Sequence, residues 1–299
     1  MGGLFMWQKL KKWGCYAIII VLLPYVVTVF INGPGVMADS HVDSTVVQVQ
    51  TEDGIVKMPI EEYCVGVLAK EIPASYEKEV LKAQAILVRT DVYKKIKESG
   101  SDTVLDGEFW TQKKMEQAWG IKYSQYFHKL KEAWDETEGQ VLLYEDELAL
   151  TPFFRLSNGC TRDAKEALGS EEYPYLKIVD CPEDIQAEKQ IQTTVVDDMD
   201  AEVTSVDTAG YVLNVRVGKE NVSGEEFRKN YHLTSGCFTL QRYNGKIRIT
   251  TRGIGHGLGM SQYSANKMAK KGKTYQEILD YFFEGTEIKE VVEILIDAE

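Results

Sequence analysis

The sequence predicts an α+β fold, a mixed architecture in which a helical elbow packs on antiparallel strands and hairpins, preceded by one N-terminal transmembrane helix. Three observations predict it. Apolar and polar residues alternate on both sides of Asp53-Gly54 and again around Asn244-Gly245, the dipeptides of tight hairpins. From Pro59 the apolar period becomes helical and breaks at Ile72-Pro73, because proline disfavours helical geometry in the residue before it. Trp13 to Ile31 carries no charge and is long enough to cross a bilayer core of about 30 Å as a helix.

The apolar run follows Lys9, Lys11 and Lys12, which places the lysines inside and the bulk of the chain outside the cell membrane. Val36-Met37-Ala38 has the small residues of a signal-cleavage site, but the run exceeds a usual signal core, so an uncleaved anchor is expected. The expected organisation is a cytoplasmic tail at 1–12, an anchor at 13–31, a linker at 32–43 and an extracytoplasmic domain at 44–299.

Within that domain Val46 to Gln50 and Ile55 to Met58 form the first hairpin. A helix through Ile60, Cys64, Val67 and Leu68 ends at Lys70-Glu71, and Ser75 is expected to cap a second, running through Val80, Gln84, Leu87 and Val92 toward Lys97. Trp110 to Trp134 is aromatic-rich and helical by spacing, closed by Gly139. Its rings suit a sugar-stacking platform but are more often core or seam. A second hairpin joins Val141–Tyr144 to Leu148–Arg155 about Glu145-Asp146-Glu147, and Tyr173 to Val179 reads as extended. Val212, Val215 and Val217 suggest a strand, Ser223 with Glu226 a capping box, and Phe238 to Thr251 a hairpin. Met260 to Lys271 is helical, Thr274 caps Tyr275 to Phe283, and Ile288 to Ile296 closes the chain as a strand.

The net charge of −12 argues against nucleic acid and anionic lipid heads as main partners, since both need a basic face. Of five cysteines Cys15 lies in the expected anchor. Outside the membrane Cys160 with Cys181 would close a modest loop, although spacing alone does not fix a pairing. With neither C-x-x-C nor H-E-x-x-H present and the histidines far apart, no structural zinc and no cofactor is expected.

Two stretches can carry chemistry. Arg252 to Tyr263 sets Gly253, Gly255, Gly257 and Gly259 around His256. It is either a strand-to-helix turn with a solvent-facing imidazole or a cleft wall in which amides, His256 and Gln262 face a polar ligand. A turn alone needs one or two glycines, which favours the wall. Glu71, at a helix end among apolar residues, suits a general acid, because partial burial raises a carboxyl above about 4.3. From spacing alone a surface carboxylate beside Lys70 is the stronger reading, and no second carboxylate stands near it, as ordinary glycoside hydrolysis requires. Arg89 sits on a largely apolar helix face and is expected to be snorkelling or paired.

Pro59 to Ser75, Leu81 to Thr90, Pro174-Tyr175-Leu176-Lys177, Ser223 to Arg228, Gly255 to Tyr263 and Tyr281 to Gly285, taken together and in order, resemble the stage II sporulation protein D family. These are membrane-anchored lytic transglycosylases of peptidoglycan, grouped with the amidase enhancers. The resemblance implies Glu71 as catalytic acid and base, with Arg89 close to it and His256 a further catalytic residue. It implies Tyr175, Lys177, Gln262, Ser157 and Gly257 as substrate-binding residues, with Asp184 a weaker transfer. The implied partners are peptidoglycan glycan strands, an amidase and membrane proteins of the engulfment machinery. The implied reaction cleaves the bond between N-acetylmuramic acid and N-acetylglucosamine to a 1,6-anhydro product. The alternative is a non-catalytic glycan-binding protein that stimulates a partner amidase. Two departures stand out: the family's Ser-Ser-Gly-Gly followed by Thr-Glu is Ser157-Asn158-Gly159-Cys160-Thr161-Arg162, and its Tyr-Gly-Ala is Tyr263-Ser264-Ala265. Some members bind zinc through Cys and His in mid-chain, but Trp110 to Trp134 offers only His128, so none is expected here.

Overall fold

The computed structural model describes residues 46–51, 54–100 and 103–291. The expected tail, anchor and linker lie outside the described residues, among which no helix is long and apolar enough to cross a membrane.

The first hairpin pairs β1 (Val46–Thr51) with β2 (Gly54–Pro59) in antiparallel register, Val46 opposite Pro59. Alternation turns Val47 and Val49 inward. Helix α1 (Ile60–Glu71) follows directly, and it stops where Ile72 turns extended ahead of Pro73. Helix α2 (Lys78–Ser99) starts later than a Ser75 cap would place it. Its N-cap residue Glu77 makes no side-chain cap, and the Glu77 amide instead donates to Asn266 Oδ1 at 2.9 Å. The start is thus set by a distant side chain. Val80, Leu81, Ala83, Ala85, Ile86 and Leu87 are fully buried around α2, which makes it the central helix of the main core.

Short β3 (Val104–Leu105) adds to β1 in parallel. The single helix expected from Trp110 to Trp134 is two, α3 (Gln112–Trp119) and α4 (Tyr123–Asp135), split by a tight turn where Gly120 adopts φ +51°. Trp110, Trp119, Tyr123, Tyr126 and Phe127 are half-buried against the main core and pack on one another, Tyr123 stacking on Phe127 at 5.6 Å. Gly139 does not close α4, which ends at Asp135; its φ of +69° turns the chain into β4 (Gln140–Tyr144).

Glu145 and Asp146, both at positive φ, turn β4 back into β5 (Glu147–Leu148). The expected strand to Arg155 is broken, because β6 (Phe153–Phe154) pairs in parallel with distant Met260–Ser261. After α5 (Ala164–Leu168), Tyr173 to Val179 forms no strand. The polar β-branched region then supplies β7 (Ile191–Asp197) and β8 (Ala201–Val206). β8 pairs with β9 (Val212–Val217), and β9 with β10 (Glu220–Ser223). Ser223 caps α6 (Gly224–Asn230) by accepting from the Glu226 amide. β11 (Cys237–Tyr243) and β12 (Lys246–Arg252) form the hairpin around Asn244-Gly245, with β7 on the outer side of β12. Phe227, Phe238, Val215, Ile247 and Ile249 seal a second, smaller core between these strands and α6.

The glycine-rich stretch leads through β13 (Met260–Ser261) into α7 (Gln262–Lys270). Thr274 and Glu277 complete a capping box on α8 (Tyr275–Phe282), and β14 (Glu287–Glu290) pairs with β4. The rest of the expected closing strand falls beyond the described residues.

The fold places the two cysteines of the suggested pairing differently. Cys160 pairs across a bridge with Asp180, while the Cys181 amide donates to the Gly159 carbonyl at 2.7 Å. That one-residue offset turns Cys160 and Cys181 to opposite faces of the pairing. Cys181 enters the main core, whereas Cys160 packs with Ala209, Tyr211 and Cys237.

Candidate active site at the Glu71 elbow

Glu71 is the last residue of α1, half-buried, on an elbow whose Ile72 and Ala74 sink into the core. As a helix-terminal residue its carbonyl has no partner within the helix. Gln262, the first residue of α7, supplies one: its Nε2 donates to the Glu71 carbonyl at 3.1 Å and to Gln84 Oε1 on α2, also at 3.1 Å. Through Gln262, three elements remote in sequence therefore meet at the backbone end of α1 that carries Glu71. Among the described residues Gln84 Nε2 and Gln262 Oε1 are buried without a protein partner, a pattern that calls for an explanation.

The Glu71 carboxylate makes no hydrogen bond or ion pair among the described residues, and Lys70 pairs with Glu108 instead. Beside the elbow, burial holds the Tyr76 phenol above its usual range, opposed by the positive charge of Arg155 and reinforced by Tyr263 and Asp184. Arg155 is exposed, and its carbonyl accepts from the Tyr263 amide at 3.2 Å.

The start of α7 is fastened by a buried carboxylate. Asp184 is fully enclosed and accepts from the Ser261 hydroxyl at 2.6 Å, the Ser264 hydroxyl at 2.7 Å and the Ser157 amide at 2.7 Å. Ser157 is itself fully buried, its hydroxyl accepting from the Gly159 amide. It acts within this bracing rather than at an open surface.

The remaining expected site residues have partners of their own. Arg89 lies in the core: its guanidinium stacks on Trp134 at 3.8 Å and donates to the Trp134 and Gln140 carbonyls. On α2 it stands about 140° around and about 7.5 Å along from Gln84, so it faces the α4–β4 junction. Tyr175 is buried, its hydroxyl bonded to the Leu150 amide at 2.7 Å. Lys177 is exposed and reaches Glu284 at 3.4 Å. Of the residues expected to share a cleft with Glu71, Gln262 is the one whose contact with it the structure records.

His256 is half-buried, and its ring is held by the chain's own groups. Its Nδ1 accepts from the Leu258 amide at 3.1 Å, and its ring packs on Phe154 at 5.7 Å. Burial lowers its pKa to about 4, with Arg228 and Arg162 pushing the same way against Glu225 and a bond to the Phe153 backbone. At neutral pH it is uncharged and supplies no cation.

The glycines answer to the protein's own chain. Each adopts positive φ, and a Cβ would lie 2.6 Å from the Leu156 carbonyl at Gly253, 2.6 Å from Phe154 Cβ at Gly255, 2.3 Å from the Tyr211 ring at Gly257 and 2.0 Å from the Pro152 carbonyl at Gly259. The close approach read from the sequence as an approach to ligand is packing against Pro152 to Ser157 and Tyr211. Arg162, the departure from the family pattern, pairs with buried Asp207 at 2.6 Å and donates to the His256 carbonyl at 3.2 Å, holding the same stretch.

Sequence reasoning passed over the bracing roles of Gln84 and Asn266. The available signal at Gln84 was a polar residue between Ala83 and Ala85 on an otherwise apolar helix face. A groove of about 820 Å³ between the β8–β9 and β11–β12 strands is lined by Asn158, Arg216, Cys237, Arg242 and Arg252 among others and by none of the expected site residues.

A mixed α+β domain that braces one helix-terminal glutamate with a glycine-rich strand-to-helix stretch is the setting into which the comparisons fall. A family model described as stage II sporulation protein matches residues 48–144. The chain is 34% identical over 258 residues to stage II sporulation protein D of Bacillus subtilis (strain 168), covering 78% of this chain and 75% of that one. It is 33% identical to the protein of that name from Bacillus amyloliquefaciens, with the same coverage. The chain belongs to the stage II sporulation protein D family. A more distant likeness, 25% identity over 294 residues, joins it to the amidase enhancer of Bacillus subtilis (strain 168), covering 74% of this chain and 39% of that one.

Proposed function

We propose that the protein is a membrane-anchored lytic transglycosylase that cleaves the N-acetylmuramic acid to N-acetylglucosamine bond of peptidoglycan during sporulation. The observation that carries this reading is the Glu71 carboxylate, half-buried and without a protein partner among the described residues, on a backbone held by Gln262.

One carboxyl suffices for such a reaction. Protonated Glu71 gives its proton to the glycosidic oxygen as the bond to the anomeric carbon breaks. The C6 hydroxyl of the same muramic acid residue attacks that carbon, and the Glu71 carboxylate takes the hydroxyl proton. Product leaves with a 1,6-anhydro ring, and the enzyme returns to its starting state. Neutral His256 and buried Arg89 sit where they support the scaffold, and exposed Arg155, whose charge acts on Tyr76 beside the elbow, is a cation available to substrate.

The test incubates the protein with glycan strands stripped of peptides and analyses the products by mass spectrometry. Anhydro-ended fragments from the wild type, reduced about 100-fold or more in Glu71→Gln, are expected. Equal release by the variant would remove Glu71 from its role. The likeness to an amidase enhancer supports a second reading, glycan binding that stimulates a partner amidase without cleavage. Under it the wild type would yield no anhydro ends yet raise amidase turnover.

A further inference from the structure

We propose that Cys160 and Cys237 form a redox pair that closes to a disulfide across Asn158. The pairing register disfavours the competing partner, because Cys181 faces the main core and Cys160 faces away from it. On the side Cys160 faces, the Asn158 amide touches both thiols: Nδ2 lies 3.3 Å from Cys237 Sγ, and Oδ1 accepts from Cys160 Sγ at 3.8 Å. The two cysteines share one small cluster with Ala209 and Tyr211.

Access differs between the thiols in a way that orders the chemistry. Cys160 is partly exposed, while Cys237 is 8% exposed at the wall of the 820 Å³ groove, next to Asn158. A disulfide oxidant of the glutathione class meets the Cys160 thiolate first and forms a mixed disulfide, releasing one glutathione thiol. The Cys237 thiolate then attacks that sulfur and releases the second. Two protein thiols lose two protons and two electrons, one S–S bond forms, and the oxidant is reduced to two thiols. Burial raises both thiols above their usual range, with Asp180 and Asp207 adding to the effect at Cys160, so exchange accelerates as pH rises.

The bond ties the 157–160 loop to the first residue of β11. Ser157 in that loop is bonded to Asp184, which also holds the start of α7, so the link stiffens the segment that leads toward the Glu71 elbow. This inference is independent of the reaction assigned to Glu71, and its readout involves no glycan.

The experiment treats the full chain in detergent with oxidised glutathione at pH 8, alkylates remaining thiols without reductant and maps linked peptides by mass spectrometry. A Cys160–Cys237 peptide two hydrogens lighter than its reduced parts is expected, retained in Cys181→Ser and absent in Cys237→Ser. Oxidation should raise the Tm of the wild type by roughly 10 °C, since the bond closes a long loop. A Cys160–Cys181 peptide would overturn the proposal. So would a glutathione adduct persisting on Cys160 while Cys237 remains open to alkylation.

Discussion

The side chain of Gln262 caps the carboxyl end of α1 by donating to the Glu71 carbonyl at 3.1 Å, and the same nitrogen reaches Gln84 Oε1 at 3.1 Å. A carboxylate presented from a helix end is only as well placed as its backbone. Gln262 is thus a positioning residue. Gln262→Met should lower stability by about 1–2 kcal/mol, because it strands buried Gln84 without its partner. The double change Gln84→Met with Gln262→Met should recover most of that stability, since both polar groups go together, yet leave turnover low. Urea unfolding set beside single-turnover cleavage separates the two effects, and recovery of both would mean the pair acts on stability alone.

Asp184 gathers the Ser157 amide and the Ser261 and Ser264 hydroxyls around one buried carboxylate. Asn at this position has a single acceptor oxygen and turns an NH2 toward donors. Asp184→Asn should therefore cost about 2 kcal/mol or more in urea unfolding. Loss of less than about 0.5 kcal/mol would show that the three bonds do not hold the start of α7.

Gly259 and Gly272 adopt positive φ alike, +78° and +86°, but only Gly259 faces a backbone atom, the Pro152 carbonyl at 2.0 Å from a built Cβ. Gly272→Ala should cost only the conformational strain, about 1 kcal/mol. Gly259→Ala should cost several times as much or prevent folding, because a carbonyl cannot rotate out of the way as a side chain can. Equal melting temperatures in the two variants would refute the packing account of the glycines.

His256 titrates near 4 in the folded protein, below its ordinary value of 6.5, because burial disfavours the imidazolium. The unfolded chain binds the proton first, so this contribution to stability is fully present above about pH 6.5 and declines as pH falls toward 4. The loss should amount to about 2–3 kcal/mol over that window. His256→Gln should flatten this part of the stability profile measured by denaturant unfolding at stepped pH. An unchanged slope would mean that His256 is protonated in the fold at a higher pH.

The local part of the fold was legible because it depends on neighbours in the chain. Proline after Ile72 ends α1, Asn244-Gly245 makes its hairpin, and Thr274 with Glu277 caps α8. Where prediction missed, a distant group had overridden the local signal. Asn266 moves the start of α2 past Ser75, and Met260-Ser261 draws Phe153-Phe154 out of the expected strand.

For the site, the amino-acid order alone sets one glutamate at a proline-ended elbow and a histidine among four closely spaced glycines. Only the tertiary structure decided what those features meet. The Glu71 carbonyl is held by Gln262, itself bonded to Gln84, and the Glu71 carboxylate has no ion pair among the described residues. The glycines serve Pro152, Phe154, Leu156 and Tyr211, and Arg89 answers to carbonyls at the α4–β4 junction. The physical reason is common to all three. A residue type states what contact it permits, a close approach or a charge to be paired, whereas the partner is chosen by elements that lie far away in sequence and come together only on folding.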